Sequence, residues 1–113
     1  GAYRTATRFL TALIEQDRES SILAALDASF LDELLGTLEP LAAQKFRLGG
    51  GRTEEDGCLS FLIRLIGSEQ WISGELYLRF DHETWLVDDL ILEEAKMFSA
   101  DNIEYTSPYE RVF

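Results

Sequence analysis

The sequence predicts an α+β fold in which N-terminal helices pack on an antiparallel sheet of about four strands. Apolar residues occur at helical spacing in the first third of the chain, whereas from Lys45 onward apolar and polar residues alternate. Two short polar segments, 67–70 and 81–84, separate the last three alternating stretches and have the length of hairpin connections. A chain of 113 residues suits one core. We therefore expect a single domain over 1–113, with 95–113 as a C-terminal tail.

The helical part divides into three segments. In the first, one face carries apolar residues at i, i+3 and i+4 spacing: Tyr3, Ala6, Phe9, Leu10, Leu13 and Ile14. A second, short segment covers residues 21–26. Asp27 is a typical N-cap for a third helix over 28–35, and Gly36 is its natural stop, because glycine adopts the left-handed conformation without a Cβ clash. Pro40 is expected to open one further short turn.

The strands begin with a short one at residues 45–48. It leads into the glycine-rich acidic segment 49–57, which lacks the lysine of a phosphate-binding loop and the alternating ligands of a calcium loop. This segment is predicted to be a solvated hairpin connection. The remaining strands are predicted at Cys58–Ile66, Trp71–Phe80 and Trp85–Glu93.

Pairing the two hairpins predicts the face on which each strand residue lies, because cross-strand neighbours share a face. Phe80 is placed opposite Trp85, which brings Asp89 opposite Leu76. Asp88 then points to the other face, where Arg79 is available for an ion pair. The predicted inner face is apolar except for Asp89: Leu59, Phe61, Ile63, Leu65, Ile72, Gly74, Leu76, Leu78, Phe80, Trp85, Val87, Asp89 and Ile91.

A charge at the centre of an apolar face is costly, so Asp89 would have to be hydrogen-bonded, carry a raised pKa or line a wet cavity. A β-bulge would exchange the roles of Asp88 and Asp89, because a slip of one residue turns every side chain to the opposite face.

The charge balance excludes several classes of partner. There are 21 acidic and 10 basic residues, a net charge of −11, and the basic residues are scattered, so neither nucleic-acid nor anionic-membrane binding is expected. No apolar stretch reaches the roughly 18 residues of a membrane span. Cys58 is the only cysteine, which rules out an intramolecular disulfide and suits a small semi-buried hydrophobe. The absence of a His/Cys ligand set and of a phosphate motif predicts no metal and no cofactor.

The two ends of the chain bear on its processing and on its contacts. The sequence starts without Met, which is compatible with removal of an N-terminal leader and equally with trimming to a domain. Both a cytoplasmic and an extracytoplasmic location therefore remain open. The tail after Glu94 is rich in aromatic residues and is expected to pack on the body or on a partner. The predicted outer face of the sheet is itself half apolar, so we expect the tail to cover it or a homodimer to form through it.

Helices followed by a curved antiparallel sheet that closes on the first helix resemble the nuclear transport factor 2-like superfamily of α+β cones. The resemblance rests on the opening FLTALIEQDRESSILAAL, which is similar to the family's first helix and turn, and on WLVDDL at Trp85, which is similar to its closing strands. It covers roughly residues 3–93 and implies a cone-like sheet with a central cavity. Family members include ketosteroid isomerase and scytalone dehydratase as well as non-catalytic modules, so the fold leaves function open.

Three functions remain after this comparison. The apolar inner face favours a non-catalytic module that binds a small apolar ligand in the cone, that dimerises, or both. The residues predicted to line its site are Tyr3, Phe61, Ile63, Leu76, Leu78, Trp85, Val87 and Asp89. The alternative is an isomerase- or dehydratase-like enzyme with Asp89 as general base. A third reading is a regulatory dimer domain whose tail carries the function. The single histidine, His82, falls in a turn and is expected to be solvated.

Overall fold

Three N-terminal helices pack against a five-stranded antiparallel sheet in the computed structural model, which describes residues 1–98 and the backbone of strand 109–112. The α+β class predicted from the sequence is therefore confirmed. The helices are α1 (Ala2–Ile14), α2 (Arg18–Ala24) and α3 (Leu31–Leu38), with short 3-10 turns at Ala28–Phe30 and Glu39–Leu41. No helix within these residues is both long enough and apolar enough to cross a membrane.

The sheet has the order β4-β3-β2-β1-β6 and stays open. Its strands are β1 (Lys45–Thr53), β2 (Leu59–Ile66), β3 (Gln70–Asp81), β4 (Thr84–Leu92) and β6 (Tyr109–Val112), while the two-residue β5 (Lys96–Met97) pairs with β3 beyond the end of β4. The sheet is neither closed nor strongly curled. It therefore differs from the cone-like sheet that the family resemblance implies.

Carboxylates start the second and third helical segments. The Asp17 side chain caps α2 by accepting from the Ser20 backbone N–H at 3.1 Å. Asp27 accepts from the Ser29 N–H at 2.9 Å, but the residues after it form a 3-10 turn, and α3 begins only afterwards. The predicted stop at Gly36 is wrong. The helix continues to Leu38 because an exposed glycine costs only about 1 kcal/mol within a helix that buries leucines on its other face.

The core lies between the helices and one face of the sheet. Its largest side chains are at most 2% exposed: Phe9, Leu10, Leu13, Leu31, Leu48, Ile63, Leu65, Leu76, Leu78 and Val87. Burial of such a set supplies most of the stability of a small domain. These side chains occupy the space in which the cone cavity was expected.

The predicted hairpin register is correct for β2 and β3 and for the first half of β4. Leu65 pairs with Ile72 and Leu78 with Val87, as expected. Beyond that point β4 contains one extra residue, so Asp89 lies opposite Tyr77. The predicted pairing of Leu76 with Asp89 is therefore wrong.

The bulge also turns the side chains that follow it to the faces opposite to those predicted. Leu90, predicted on the outer face, is buried opposite Leu76, and Ile91, predicted on the inner face, is 55% exposed. The exchange costs little free energy because Leu90 and Ile91 are both aliphatic, and it keeps both aspartates out of the core.

The first strand is longer than predicted. It continues past Leu48 through the glycines to Thr53, with a second irregularity between Leu48 and Gly51. A Cβ on Gly51 would lie 3.0 Å from the ring of Phe61, so glycine lets the strand pass close over that ring. Only residues 54–58 remain as the hairpin connection.

Parts of the tail pair with the sheet. Met97 lies opposite Gln70 on β3, and β6 is antiparallel to β1. The remaining tail residues, 99–108 and 113, lie outside the described residues, and so does the prediction that they pack on the body or on a partner.

Candidate functional site

The structure does not gather the predicted site residues around a cavity. Five of them are core side chains, at most 4% exposed: Phe61, Ile63, Leu76, Leu78 and Val87. Tyr3 is 36% exposed on α1, and Trp85 is half-buried at the start of β4. Only Trp85 belongs to the wall of a described cleft.

Asp89 is an exposed residue on the outer face. Its Oδ1 accepts a hydrogen bond from the N–H of the next residue, Leu90, at 2.8 Å. A carboxylate whose pKa is raised by burial, as a general base requires, must instead lie in buried, apolar surroundings. The prediction that Asp89 lies on the inner face is wrong. The argument for a catalytic carboxylate depended on burial at that position and therefore no longer holds.

Asp88 belongs to an ion-pair cluster with Arg79 and Asp56 on the outer face, beside the β1–β2 connection. Its Oδ2 lies 3.5 Å from Nη2 of Arg79, as expected for a structural pair, and the same Nη2 lies 3.4 Å from Oδ2 of Asp56. Asp56 also accepts from the backbone N–H of Cys58 at 3.0 Å, and this bond is the main cause of its lowered pKa. The cluster ties the β1–β2 connection to β3 and β4.

Cys58 is a buried residue beside this cluster. It is 3% exposed, and its Sγ lies 3.9 Å from Oδ2 of Asp88. Burial raises the pKa of the thiol, although Arg79 acts in the other direction. A protonated, inaccessible thiol is a poor nucleophile, which fits the structural role expected from the sequence.

His82 lies in the β3–β4 turn, where its side chain is 92% exposed and 3.8 Å from the carboxylate of Asp81. Both central residues of the turn, His82 and Glu83, have positive φ, at 47° and 66°. Such angles suit the right-handed twist of a tight hairpin. The histidine is solvated, as expected from its turn position.

The fold brings basic residues together that are scattered in the sequence. In the strand register Arg47 lies opposite Arg64, and Lys96 lies opposite Trp71, at one end of the outer face. The Arg64 guanidinium carbon lies 4.0 Å from the centre of the Trp71 ring, and Lys96 Nζ lies 5.2 Å from it. Arg64 and Trp71 are at most 8% exposed, so this cluster is part of the packing. Period-two spacing along the strands was the available sequence signal for it.

Acidic residues line a shallow cleft at the opposite end of the outer face. Glu54 Oε1 accepts from Ser60 Oγ at 2.7 Å and from Arg52 Nη2 at 3.1 Å. These bonds occupy the carboxylate and lower its pKa. Within the described part of the chain, no group of three His, Cys, Asp or Glu side chains has an arrangement that could hold a metal ion.

A cleft of about 450 Å³ lies between α1, α2 and the start of β4, and we call it the side groove. It is lined by Thr5, Thr7, Arg8, Thr11, Ala12, Glu15, Asp17, Ser20, Leu23, Ala24, Thr84, Trp85 and Leu86. The sequence carries no signal for this groove, because two of its walls, α1 and α2, are far from the third, β4, along the chain.

Apolar side chains are exposed at this groove. Leu23 on α2 is 78% exposed, the largest value among the large apolar side chains of the described residues. Trp85 forms the facing wall, and its ring packs against Phe80, 56% exposed, with 5.3 Å between ring centres and 59° between planes. Exposed apolar side chains of this kind mark interaction surfaces when they cluster.

The α1 wall of the groove carries charges in an unusual order. Arg4 and Arg8 occupy the first two turns, no acidic residue lies in the first turn, and Glu15 follows at the C-cap. The helix dipole favours the reverse order, with anions near the N-terminus and cations near the C-terminus. Within the described residues, neither Arg8 nor Glu15 forms an ion pair. Among the described residues, the helix therefore gains no ion pair from these two charges.

Comparisons with protein-family models, with curated proteins and with solved structures give no match to this chain.

Proposed function

We propose that this chain is a non-catalytic module that works by self-association through the side groove. The observation that carries the proposal is the distribution of apolar side chains. The interior between α1 and the sheet is filled, whereas Leu23 is exposed at the groove, and the half-buried Trp85 on its wall packs against the exposed Phe80. A surface of this kind is buried most simply against another protein surface.

We also propose that the chain is a divergent member of the nuclear transport factor 2-like superfamily. The order of elements, helices first and an antiparallel sheet after them, supports this assignment. The open sheet and the packed interior depart from the family's cone. Family membership would account for the fold, but the function must be argued from the groove.

A small apolar ligand is the second candidate for the same groove. The cleft volume of about 450 Å³ lies in the range of ligand sites, and the Trp85 ring offers a flat apolar wall. This candidate ligand site lies at the surface, whereas the sequence predicted a ligand inside the cone. By contrast, no observation on Asp89 favours the isomerase or dehydratase alternative, because that carboxylate is exposed.

Sedimentation velocity over a range of concentrations tests the proposal. Leu23→Glu places a charge in the groove and should shift the chain toward the monomer. Leu62→Glu is the matched control, since Leu62 is also exposed, at 42%, but lies on the outer face of the sheet.

The two variants separate the groove from the face that the sequence predicted as the dimer interface. Dissociation by Leu23→Glu alone supports the groove. Dissociation by Leu62→Glu alone would transfer the interface to the outer face, and a wild-type chain that stays monomeric near millimolar concentration would refute self-association.

A further inference from the structure

We infer that the partner is a second copy of this chain, docked so that the two α1 helices run antiparallel across a two-fold axis near Thr11 and Ala12. This inference rests on the proposed function and adds the geometry of the contact. It is carried by the order of charges on α1, by the lack of an ion pair at Arg8 and Glu15 within the part of the chain that the structure describes, and by the overall charge of the chain.

The charges on α1 are complementary to their own reversed copy. Arg8 and Glu15 are seven residues apart, about 10 Å along the axis, and so lie on one face of the helix. An axis midway between them turns each Arg8 toward the Glu15 of the partner subunit. A contact of this kind is isologous: it uses the same surface twice and closes at two copies.

The negative net charge of the chain favours α1 as the contact surface between two copies. Two copies of a chain with net charge −11 repel each other, so an interface should lie where acidic residues are few. Helix α1 itself contains two arginines and no acidic residue, and the acidic residues of the groove wall, Glu15 and Asp17, follow directly after its C-terminal end. Docking there sets the arginine end of one helix against the acidic end of the other, and it also offsets the unfavourable order of charges along the helix dipole.

The apolar walls of the groove extend the contact. Leu23 and Trp85 line the side groove together with α1, so an antiparallel partner helix lying over α1 and the groove would cover part of both side chains. Apolar anchors beside a charged strip give affinity, while the charges fix the register.

Charge exchange between two variants tests this geometry. Arg8→Glu creates two like-charge contacts in a homodimer, and so does Glu15→Arg, so each variant alone should dissociate about tenfold more readily than the wild type. Mixed together, the two variants meet with opposite charges at both contacts. The equimolar mixture should therefore form heterodimers with close to wild-type affinity, measured by sedimentation or by fluorescence anisotropy of a labelled copy.

Two variants control for net charge alone. Lys45→Glu and Glu55→Arg make the same charge changes at exposed positions outside α1 and outside the side groove, and they should show neither the loss nor the recovery. If mixing Arg8→Glu with Glu15→Arg restores nothing, the antiparallel geometry is wrong, even if Leu23→Glu still dissociates the dimer and the groove proposal holds. If Leu23→Glu has no effect either, the proposed function itself fails.

Discussion

The backbone N–H of Leu26 donates to the carbonyl of Val87 at 2.7 Å and attaches the end of α2 to the edge strand β4. Beside this bond, Ala25 and Val87 form an isolated parallel bridge. An edge strand otherwise presents unpaired backbone groups on which other chains can add. The attachment covers this part of the edge and holds α2 in place as one wall of the side groove.

Removing this hydrogen bond should weaken the fold. Leu26→Pro lacks the N–H and leaves the Val87 carbonyl without its partner, so we expect the free energy of unfolding in urea to fall by about 1–3 kcal/mol. Leu26→Ala keeps the N–H and removes a side chain that is already 37% exposed. A larger loss for the alanine than for the proline variant would show that the side chain, and not the backbone bond, secures α2.

Two glycines should respond to alanine in opposite ways. A Cβ on Gly74 would lie 2.4 Å from the Ile91 carbonyl oxygen, so the backbones of β3 and β4 would have to separate, and Gly74→Ala should cost about 2–3 kcal/mol. Gly36 is exposed within α3, and an added Cβ there would point into open space. Gly36→Ala should stabilise the chain by about 0.5–1 kcal/mol. Chemical denaturation measures both, and a harmless Gly74→Ala would contradict the close packing of these strands.

The bulge in β4 can be tested with two neighbouring residues. Leu90 is 8% exposed against the core, so Leu90→Ala should lower the free energy of unfolding by about 2–4 kcal/mol. Ile91 is 55% exposed, so Ile91→Ala should cost less than about 1 kcal/mol. The reverse order of losses in thermal or urea unfolding would restore the unbulged register and return Asp89 to the inner face.

Stability should fall in acid. The pKa of Asp17 is lowered, chiefly by the Ser20 hydroxyl and then by the Ser20 N–H, and the pKa of Asp56 is lowered by the Cys58 N–H. A carboxyl with a lowered pKa in the folded state contributes stability above its unfolded pKa, and this contribution disappears as pH falls through the folded value. We expect the unfolding free energy to decrease from about pH 5 downward. Asp17→Asn keeps a cap that does not titrate, so its acid limb should be shallower; an unchanged limb would contradict the Asp17 contribution.

The sequence predicted those parts of the fold that periodicity determines. Helix α1 follows from its apolar spacing, and the pairs Leu65–Ile72 and Leu78–Val87 follow from alternation across short turns. The bulge could not be predicted in this way. Residues 90–92 are all aliphatic, so either register buries apolar side chains. The structure adopts the register that leaves Asp89 in water, which avoids the cost of burying its charge.

The candidate site was less predictable than the fold. Hydrophobic patterns indicate which face is buried, but not whether the buried space is filled or open, and Phe9 and Leu10 fill it from α1. The side groove depends on where α2 attaches to β4 through Ala25 and Leu26, a contact between distant segments that leaves no periodic signal. In the sequence, Leu23 is one of several apolar residues of a short helical segment, and nothing in that pattern indicates its exposure of 78%.

Proximity of Thr11 to its own copy tests the central claim most directly. Thr11 is exposed and lies beside the proposed two-fold axis, so in a Cys58→Ser background, which removes the single native thiol, Thr11→Cys should form a disulfide-linked dimer rapidly under mild oxidation. Glu55→Cys in the same background lies at an exposed position in the β1–β2 connection, outside the side groove, and should cross-link only slowly. Equal or slower cross-linking at Thr11 than at Glu55 would contradict the antiparallel dimer.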